Sequence, residues 1–270
     1  MSALLKKPRK WAFNPGLVAP EWEWFWEGCI GAWPFWESAG NKVLDISSFN
    51  QAGTFVNTPT WGADARGPTV DFQAASSDHI DVGTAGHLSL PGVMSVLCVH
   101  HMNDNYTSSQ SLVGWANSSA ALNYDLEFGR TNNKYSWLNN STAITLDSTR
   151  SISDNNIHVI CVTRGGGTGD WDISMFIDGV LDGATTTVEN PNDAAGSRLG
   201  IAKLGNFGTF KYEGSISLMV LWDKTLTDDQ AIKITRDPFG PFRMGEDVAL
   251  FAPLALVTIS DYRFRQRFFG

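Results

Sequence analysis

Cysteine is scarce in this chain and odd in number, with only Cys29, Cys98 and Cys161. An odd total forms no complete disulfide framework, and Cys98 and Cys161 lie inside apolar runs where a free thiol serves as a small core residue. Charged residues are few, at 18%, which argues against a helical bundle with solvated faces. The longest apolar stretch, Val248 to Ile259, is broken by Pro253 and is too short to span a bilayer. Met1 to Lys10 is followed by Trp11-Ala12-Phe13-Asn14-Pro15-Gly16 rather than an apolar segment, so no secretory signal is expected, and folding is expected in a reducing cytoplasm. Catalytic signatures are missing too. There is no G-x-S-x-G elbow and no H-E-x-x-H, and the Gly-rich run Gly165 to Asp170 has no Lys-Ser/Thr after it to make a phosphate cradle. His100 and His101 are neighbours in an extended segment, so one should point inward and one outward, a poor arrangement for joint metal binding.

What the chain has in quantity is tryptophan and glycine, 11 and 26 residues, with 43% apolar content. That suits an all-β protein rich in turns, and the length accommodates one sandwich of about 200 residues with appendages. The net charge of −8 is unevenly spread. Lys6, Lys7, Arg9 and Lys10 give the first ten residues +4, and Arg263, Arg265 and Arg267 against Asp261 give the last ten +2, which leaves −14 on the body. Basic tails on an acidic body suit an acidic partner, including a second copy of the chain, or simply remain solvated. Each cluster is small and the body repels phosphate, which argues against nucleic acid.

The most ordered pattern runs from Asn156 to Ile234. Ile157-His158-Val159-Ile160-Cys161-Val162-Thr163-Arg164 is apolar on both faces, as in a strand buried inside a sandwich. Ile173 to Ile177 stops at Asp178-Gly179, a pair that favours a tight hairpin because both residues tolerate positive φ. Leu199 to Ala202 and Phe210 to Trp222 read as further strands. Thr227, with Gln230 three residues on, is a capping box that opens a short helix.

This succession resembles the laminin-G-like branch of the concanavalin A-like lectin and glucanase families, in elements of the type W-H-x-V-x-V-T-R, Y-V-D-G, L-x-I-G, F-x-G-x-I and L-S-x-x-E. Upstream, Ala32 to Glu37, Leu44-Asp45-Ile46-Ser47, Gly67 to Phe72 and Leu88 to Val99 are similar to the same family's opening elements. Ile157 and Ser48 stand where the family has Trp and Gly. The resemblance implies an all-β, concanavalin A-like jelly-roll β-sandwich over residues 28–236, with an N-terminal arm at 1–27 and a C-terminal arm at 237–270. No cofactor is expected, with a rim calcium ion, which laminin-G-like domains often carry, as the alternative that the resemblance leaves open. Asp64, Asp78, Asp104, Asp170 and Asp193 are loop acids, but no D-x-D-x-D-G loop is present and no ligand set is assigned.

In the N-terminal arm, Glu21-Trp22-Glu23-Trp24-Phe25-Trp26-Glu27 has a period of two. As an extended segment it would put Trp22, Trp24 and Trp26 on one side, to stack on sugar rings or, the commoner outcome, to pack against protein. The C-terminal arm begins at Arg236-Asp237-Pro238-Phe239-Gly240-Pro241-Phe242 and includes Phe251, Tyr262, Phe264 and Phe268. An apolar, aromatic tail is an aggregation hazard unless docked. A Lys/Arg/Pro/Trp leader before such a domain and an ending near Asp237 to Arg243 resemble structural proteins of tailed bacteriophages. That resemblance implies a non-enzymatic virion protein, decorating a capsid or belonging to a tail, with other virion proteins or copies of itself as partners. Lys6, Lys7, Arg9, Lys10, Trp22, Trp24, Trp26, Phe251, Tyr262, Phe264 and Phe268 are its candidate assembly contacts.

The alternative is a lectin-like module that reads host or environmental polysaccharide. Ala121 to Gly129 alternates, with Asn123, Asp125 and Glu127 on one face and Leu122, Tyr124, Leu126 and Phe128 on the other. If Tyr135 and Trp137 of the next strand share the polar, open face, a sugar-sized site results. A hydrated sheet face with Trp137 in the core is the more ordinary outcome. Related glycoside hydrolases carry E-x-D-x-E, two glutamates on one strand face, and Asn123 stands where one of them is required, so no hydrolase activity is expected.

Overall fold

A computed structural model describes residues 18–102, 109–118, 121–129, 133–139, 145–152, 155–167, 169–188, 191, 196–204 and 210–243. The chain divides into two compact units, one of Gly28–Pro238 and one built from the two ends.

The larger unit is a sandwich of two antiparallel sheets. One contains β1 (Cys29–Trp33), β4 (Thr60–Asp64), β5 (Gly67–Phe72), β7 (Met94–Met102), β12 (Ile157–Gly167), β13 (Asp170–Ile177), β14 (Val180–Thr187) and β16 (Gly214–Trp222). Its order is β14-β13-β12-β7-β16-β5-β4, with β1 also paired to β16. The other contains β2 (Lys42–Val43), β3 (Gly53–Val56), β6 (His79–Gly83), β8 (Gln110–Ser118), β9 (Ala121–Phe128), β10 (Tyr135–Leu138), β11 (Leu146–Asp147) and β15 (Arg198–Ile201). Its order is β11-β10-β9-β8-β15-β6-β3-β2. Alternation along each strand sends Val96, Cys98, Ile160, Val162, Met219 and Leu221 from the first sheet toward Ile80, Val113, Trp115, Leu126 and Ile201 of the second, in one continuous core.

The local signals in the sequence act as their chemistry requires. Asp178 and Gly179 take φ of 52° and 83°, so β13 turns directly into β14 with Ile177 opposite Val180. Thr227 accepts from the Gln230 amide and Gln230 reaches back to Thr227, which caps helix α2 (Asp228–Arg236). This helix packs on the outer side of β12, β13 and β14, which is why β12 is apolar on both faces. At its far end Thr235 Oγ1 accepts from the Gly179 amide at 3.1 Å. All three cysteines are free and buried. Burial pushes their thiols well above the usual range, so they are inert core groups. No helix among the described residues is long and apolar enough to cross a membrane.

The Asp45-x-Ser47 element is a backbone anchor. Its buried carboxylate accepts from the amides of Ala32, Ser47 and Gln51, each at 2.8 Å, and from Ser47 Oγ. One side chain thereby satisfies donors from three separate stretches of backbone.

His100 points inward and His101 outward, as alternation demands. The hydrogen bonds of His100 fix its tautomer. Tyr212 Oη donates to the His101 carbonyl at 2.8 Å, so it accepts from His100 Nδ1–H at 3.1 Å, and Nε2 must accept from Tyr135 Oη at 2.8 Å. This chain of three side chains links the two sheets through the core, and burial holds the His100 pKa well below its usual value. The unfolded chain therefore binds a proton near pH 6.5 that the folded chain refuses. This contribution to stability is fully present above pH 6.5 and is lost as pH falls below it, at about 1.4 kcal/mol per unit until the folded pKa is reached. His79 and His87, both shifted down by burial, act in the same direction. Urea midpoints should fall between pH 7 and pH 5, and less steeply in His100→Gln. An unchanged slope in that variant would refute the assignment.

The unit built from the ends is described at 18–27 and 239–243. Here the expected extended Trp row is corrected. Pro20–Trp22 is a 3-10 turn and Glu23–Trp26 is α1, a single helical turn. Proline at the start and Glu21 and Glu23 in the first turns favour helix initiation, and the turn leaves Trp24 tilted against Trp22 at 5.8 Å and 39° rather than in a coplanar row of three. Trp22 and Phe25 are buried, whereas Trp24 and Trp26 are half-buried. Phe25 and Trp26 meet Phe242 edge-on at 5.5 and 5.7 Å, so these rings pack against protein rather than form a flat platform.

Candidate functional site

The outer face of the second sheet carries the chemistry. Asn123, Asp125 and Glu127 do lie on this face, but all three are fully buried, so the expected open row is corrected. The cause is a non-local crossing. After β15 the chain passes over β8, where Leu204 bridges to Gly114 and lies beside Asp125. Leu204, Leu138, Ala116 and Phe210 then form a small apolar cluster on that side. Asp125 is held by Ser111 Oγ at 2.5 Å.

Tyr135 and Trp137 are not on this face. The β9–β10 register pairs Ser136 with Glu127 and Trp137 with Leu126, and directly opposite residues share a face. Trp137 therefore joins the core, stacked 6.2 Å from Tyr124 at an interplanar angle of 5°, and Tyr135 serves His100. The sugar-sized site expected from these five residues does not form.

A different site lies on the same face, beyond β8. Val56, His79, Asp81, Arg198, Leu199, Gly200 and Lys203 line an open hollow of about 260 Å³. Alternation in His79-Ile80-Asp81-Val82 turns His79 and Asp81 outward while Ile80 and Val82 enter the core. Register places Asp81 opposite Gly200 on one side and Thr54 on the other. Gly200 has no side chain to fill the space, and the hollow opens there. Arg198 grips Asp81 with both arms, Nε to Oδ1 at 3.0 Å and Nη2 to Oδ2 at 2.7 Å, and Gly83 N donates to Oδ1 at 2.9 Å. Three of the roughly four lone-pair positions of the carboxylate are thus occupied.

His79 is buried, and its Nδ1–H donates to the Ser77 carbonyl at 2.9 Å, which leaves Nε2 as an acceptor in the neutral ring. Burial, then the charges of Lys203 and Arg198, lower its pKa against the opposing pull of Ser77 and Asp81. Lys203 is half-buried, and burial followed by the Lys211 charge lowers its pKa. Sequence reading missed all four polar residues. The alternation at 79–82 is visible in the sequence, but the pairing of β6 with β15, 117 residues apart at Asp81 and Arg198, is not.

Three of the five loop acids are described, and each is engaged or placed elsewhere. Asp64 is paired with Arg66 at 2.6 Å, Asp78 accepts from Thr58 and Gln73 amides, and Asp170 lies in β13. No group of three or more His, Cys, Asp or Glu among the described residues is placed to hold a metal ion. Asp104 and Asp193 lie outside the described residues, as do the expected assembly contacts Lys6, Lys7, Arg9, Lys10, Phe251, Tyr262, Phe264 and Phe268.

Two antiparallel sheets in this order, with a polar hollow on an outer face, define a lectin-type β-sandwich. The chain belongs to the concanavalin A-like lectin/glucanases superfamily, whose model matches residues 74–231. No curated protein matches it. Among solved structures, it is similar to domain 4 of AbnA, a GH43 extracellular arabinanase from Geobacillus stearothermophilus, in complex with arabinotriose. The TM-score is 0.58 at 13% identity, over 77% of this chain and 98% of that one. It is also similar to Trypanosoma rangeli sialidase in complex with sialic acid, with TM-score 0.59 and 12% identity, over 78% of this chain and 33% of that one. The botulinum neurotoxin serotype D binding domain gives 0.57 at 12% identity, over 78% of this chain and 52% of that one. At these identities the likeness is one of fold.

Proposed function

We propose that this chain is a non-catalytic carbohydrate-binding module whose site is the hollow between β3, β6 and β15. The observation that carries this reading is the fixed Asp81–Arg198 fork at an open, sugar-sized recess. A carboxylate and a guanidinium locked together offer an acceptor and donors at set spacing, which suits adjacent hydroxyls of one ring. The volume is below the range of about 300–1,000 Å³ typical of drug-sized ligands, so it matches a single sugar unit of a longer chain. The arabinanase domain solved with arabinotriose supports the reading. The absence of catalysis rests on Asn123 in place of a carboxylate and on the burial of Asp125 and Glu127. Placement on a virion, in a capsid decoration or a tail, rests on the resemblance of Lys6 to Trp11, outside the described residues, and of Asp237 to Arg243, within them. It is compatible with this function, since a sandwich anchored by its ends can still present this face to polysaccharide.

A panel of uncharged oligosaccharides tested against wild type and Asp81→Ala is the experiment. Losing hydrogen bonds to charged groups, at about 1.5–3 kcal/mol, should weaken binding at least about tenfold. The melting temperature should barely move, since a partly exposed ion pair contributes only about 0–1 kcal/mol. Undiminished binding by Asp81→Ala would move the site elsewhere, and no binding by wild type to any saccharide would end the reading.

A further inference from the structure

We infer, taking the carbohydrate reading as the basis, that the hollow selects a saccharide bearing a carboxylate or sulfate group, with Lys203 as its counter-charge. The charge inventory of the recess points to this. Asp81 is committed to Arg198 and the Gly83 amide, so its charge is largely neutralised within the protein. Lys203 lines the recess with no ion pair among the described residues. Lys211, of like sign, adds to the positive potential there, while the paired charges of Asp81 and Arg198 largely cancel. A local excess of positive charge runs against a chain whose net charge is −8, and a partly enclosed recess focuses such a field on an arriving anion.

The apolar part of the lining points the same way. Neutral sugars are held largely by aromatic rings that cover their apolar faces, yet among the described residues the apolar lining is Val56, Leu199 and Gly200, with no aromatic ring. Affinity must therefore come from polar and charged contacts. Lys203 and His79 are both held below their usual pKa, mainly by burial and then by a neighbouring lysine, Lys211 and Lys203 respectively, against the opposing pull of Asp81. A bound anion would offset that repulsion, so binding and protonation of His79 should reinforce one another. The charged groups that face His79 are Asp81, Arg198 and Lys203. Of these, only Asp81 opposes the anion, and it is already engaged.

Calorimetric titrations of the full chain with trigalacturonate, a sulfated cello-oligosaccharide, their uncharged counterparts and sodium sulfate test this. The acidic saccharides should bind at least about tenfold tighter than the uncharged ones, with the gap shrinking at high salt. Lys203→Gln should erase that gap and Lys203→Arg should restore it, and because Lys203 makes no described ion pair both variants should melt as wild type. Equal affinity for acidic and uncharged sugars would overturn the selectivity while leaving carbohydrate binding intact. Sodium sulfate binding as tightly as the sulfated sugar would also overturn it, in favour of a plain anion site. No saccharide binding at all would refute both readings.

Discussion

Replacing Arg164 with methionine is expected to destabilise the sandwich by about 3–5 kcal/mol, one of the largest effects of any single substitution outside the apolar core. Arg164 continues the inward row Ile160 and Val162 along β12 and is fully buried at the end of the sandwich. Among the described residues no carboxylate is paired with it. Its guanidinium donates to the carbonyls of Gly92, at 2.9 Å, and Asn123, at 3.3 Å, and to Leu90 O and Asn139 Oδ1. The Trp171 ring lies 5.5 Å from Cζ. Burial pushes the Arg164 pKa down to about 9, so the group stays charged at neutral pH. Methionine would recover several kcal/mol of desolvation but leave four acceptors without their donor. At about 1.5–3 kcal/mol for each bond from a charged group, the loss exceeds the gain. Lysine keeps the charge but lacks the planar fork, and should restore only part of the stability. Urea unfolding of the two variants decides the matter. A neutral or stabilising Arg164→Met would show that the buried cation serves specificity of fold rather than stability.

Arg164 also shows what a sequence can and cannot convey. Its position on the core face follows from strand alternation, so an inward arginine was legible once β12 was placed. Its acceptors, from stretches up to 74 residues away, were not. The same division holds elsewhere. Asp178-Gly179 and Thr227 with Gln230 act within four residues of chain, and their turn and cap are as the sequence implies. The Trp22–Trp26 segment misled because a period of two in residue type is also compatible with a helix, and Pro20 decides for the helix. The recess at Asp81 and Arg198 depends on two strands that meet across most of the domain, while Leu204 closes the row that alternation alone would leave open. Local chemistry selects the elements, and long-range pairing decides which polar face stays accessible.

Trp137→Ala should cost about 3–5 kcal/mol of stability, the range for truncating a large buried aromatic, and any loss of ligand binding should be no more than the unfolded fraction explains. Trp137 is 0% exposed, stacks on Tyr124 and lies in the core opposite Leu126. It touches the sheet from the side away from the recess. Its Nε1 has no hydrogen-bond partner among the described residues, so part of its packing gain already offsets a buried donor. Trp137→Phe removes that donor along with one ring of the indole, and its cost should be no more than about 1–2 kcal/mol, well below that of alanine. The pair of variants separates core from site. If Trp137 were a sugar platform, alanine would abolish binding while leaving the urea midpoint near wild type, and phenylalanine would retain binding in part. If it is core, the midpoint falls steeply for alanine and slightly for phenylalanine, and the folded fraction of each binds saccharide with unchanged affinity. A large midpoint shift with intact affinity in the folded fraction leaves recognition to the opposite face, where Asp81, Arg198 and Lys203 line the recess.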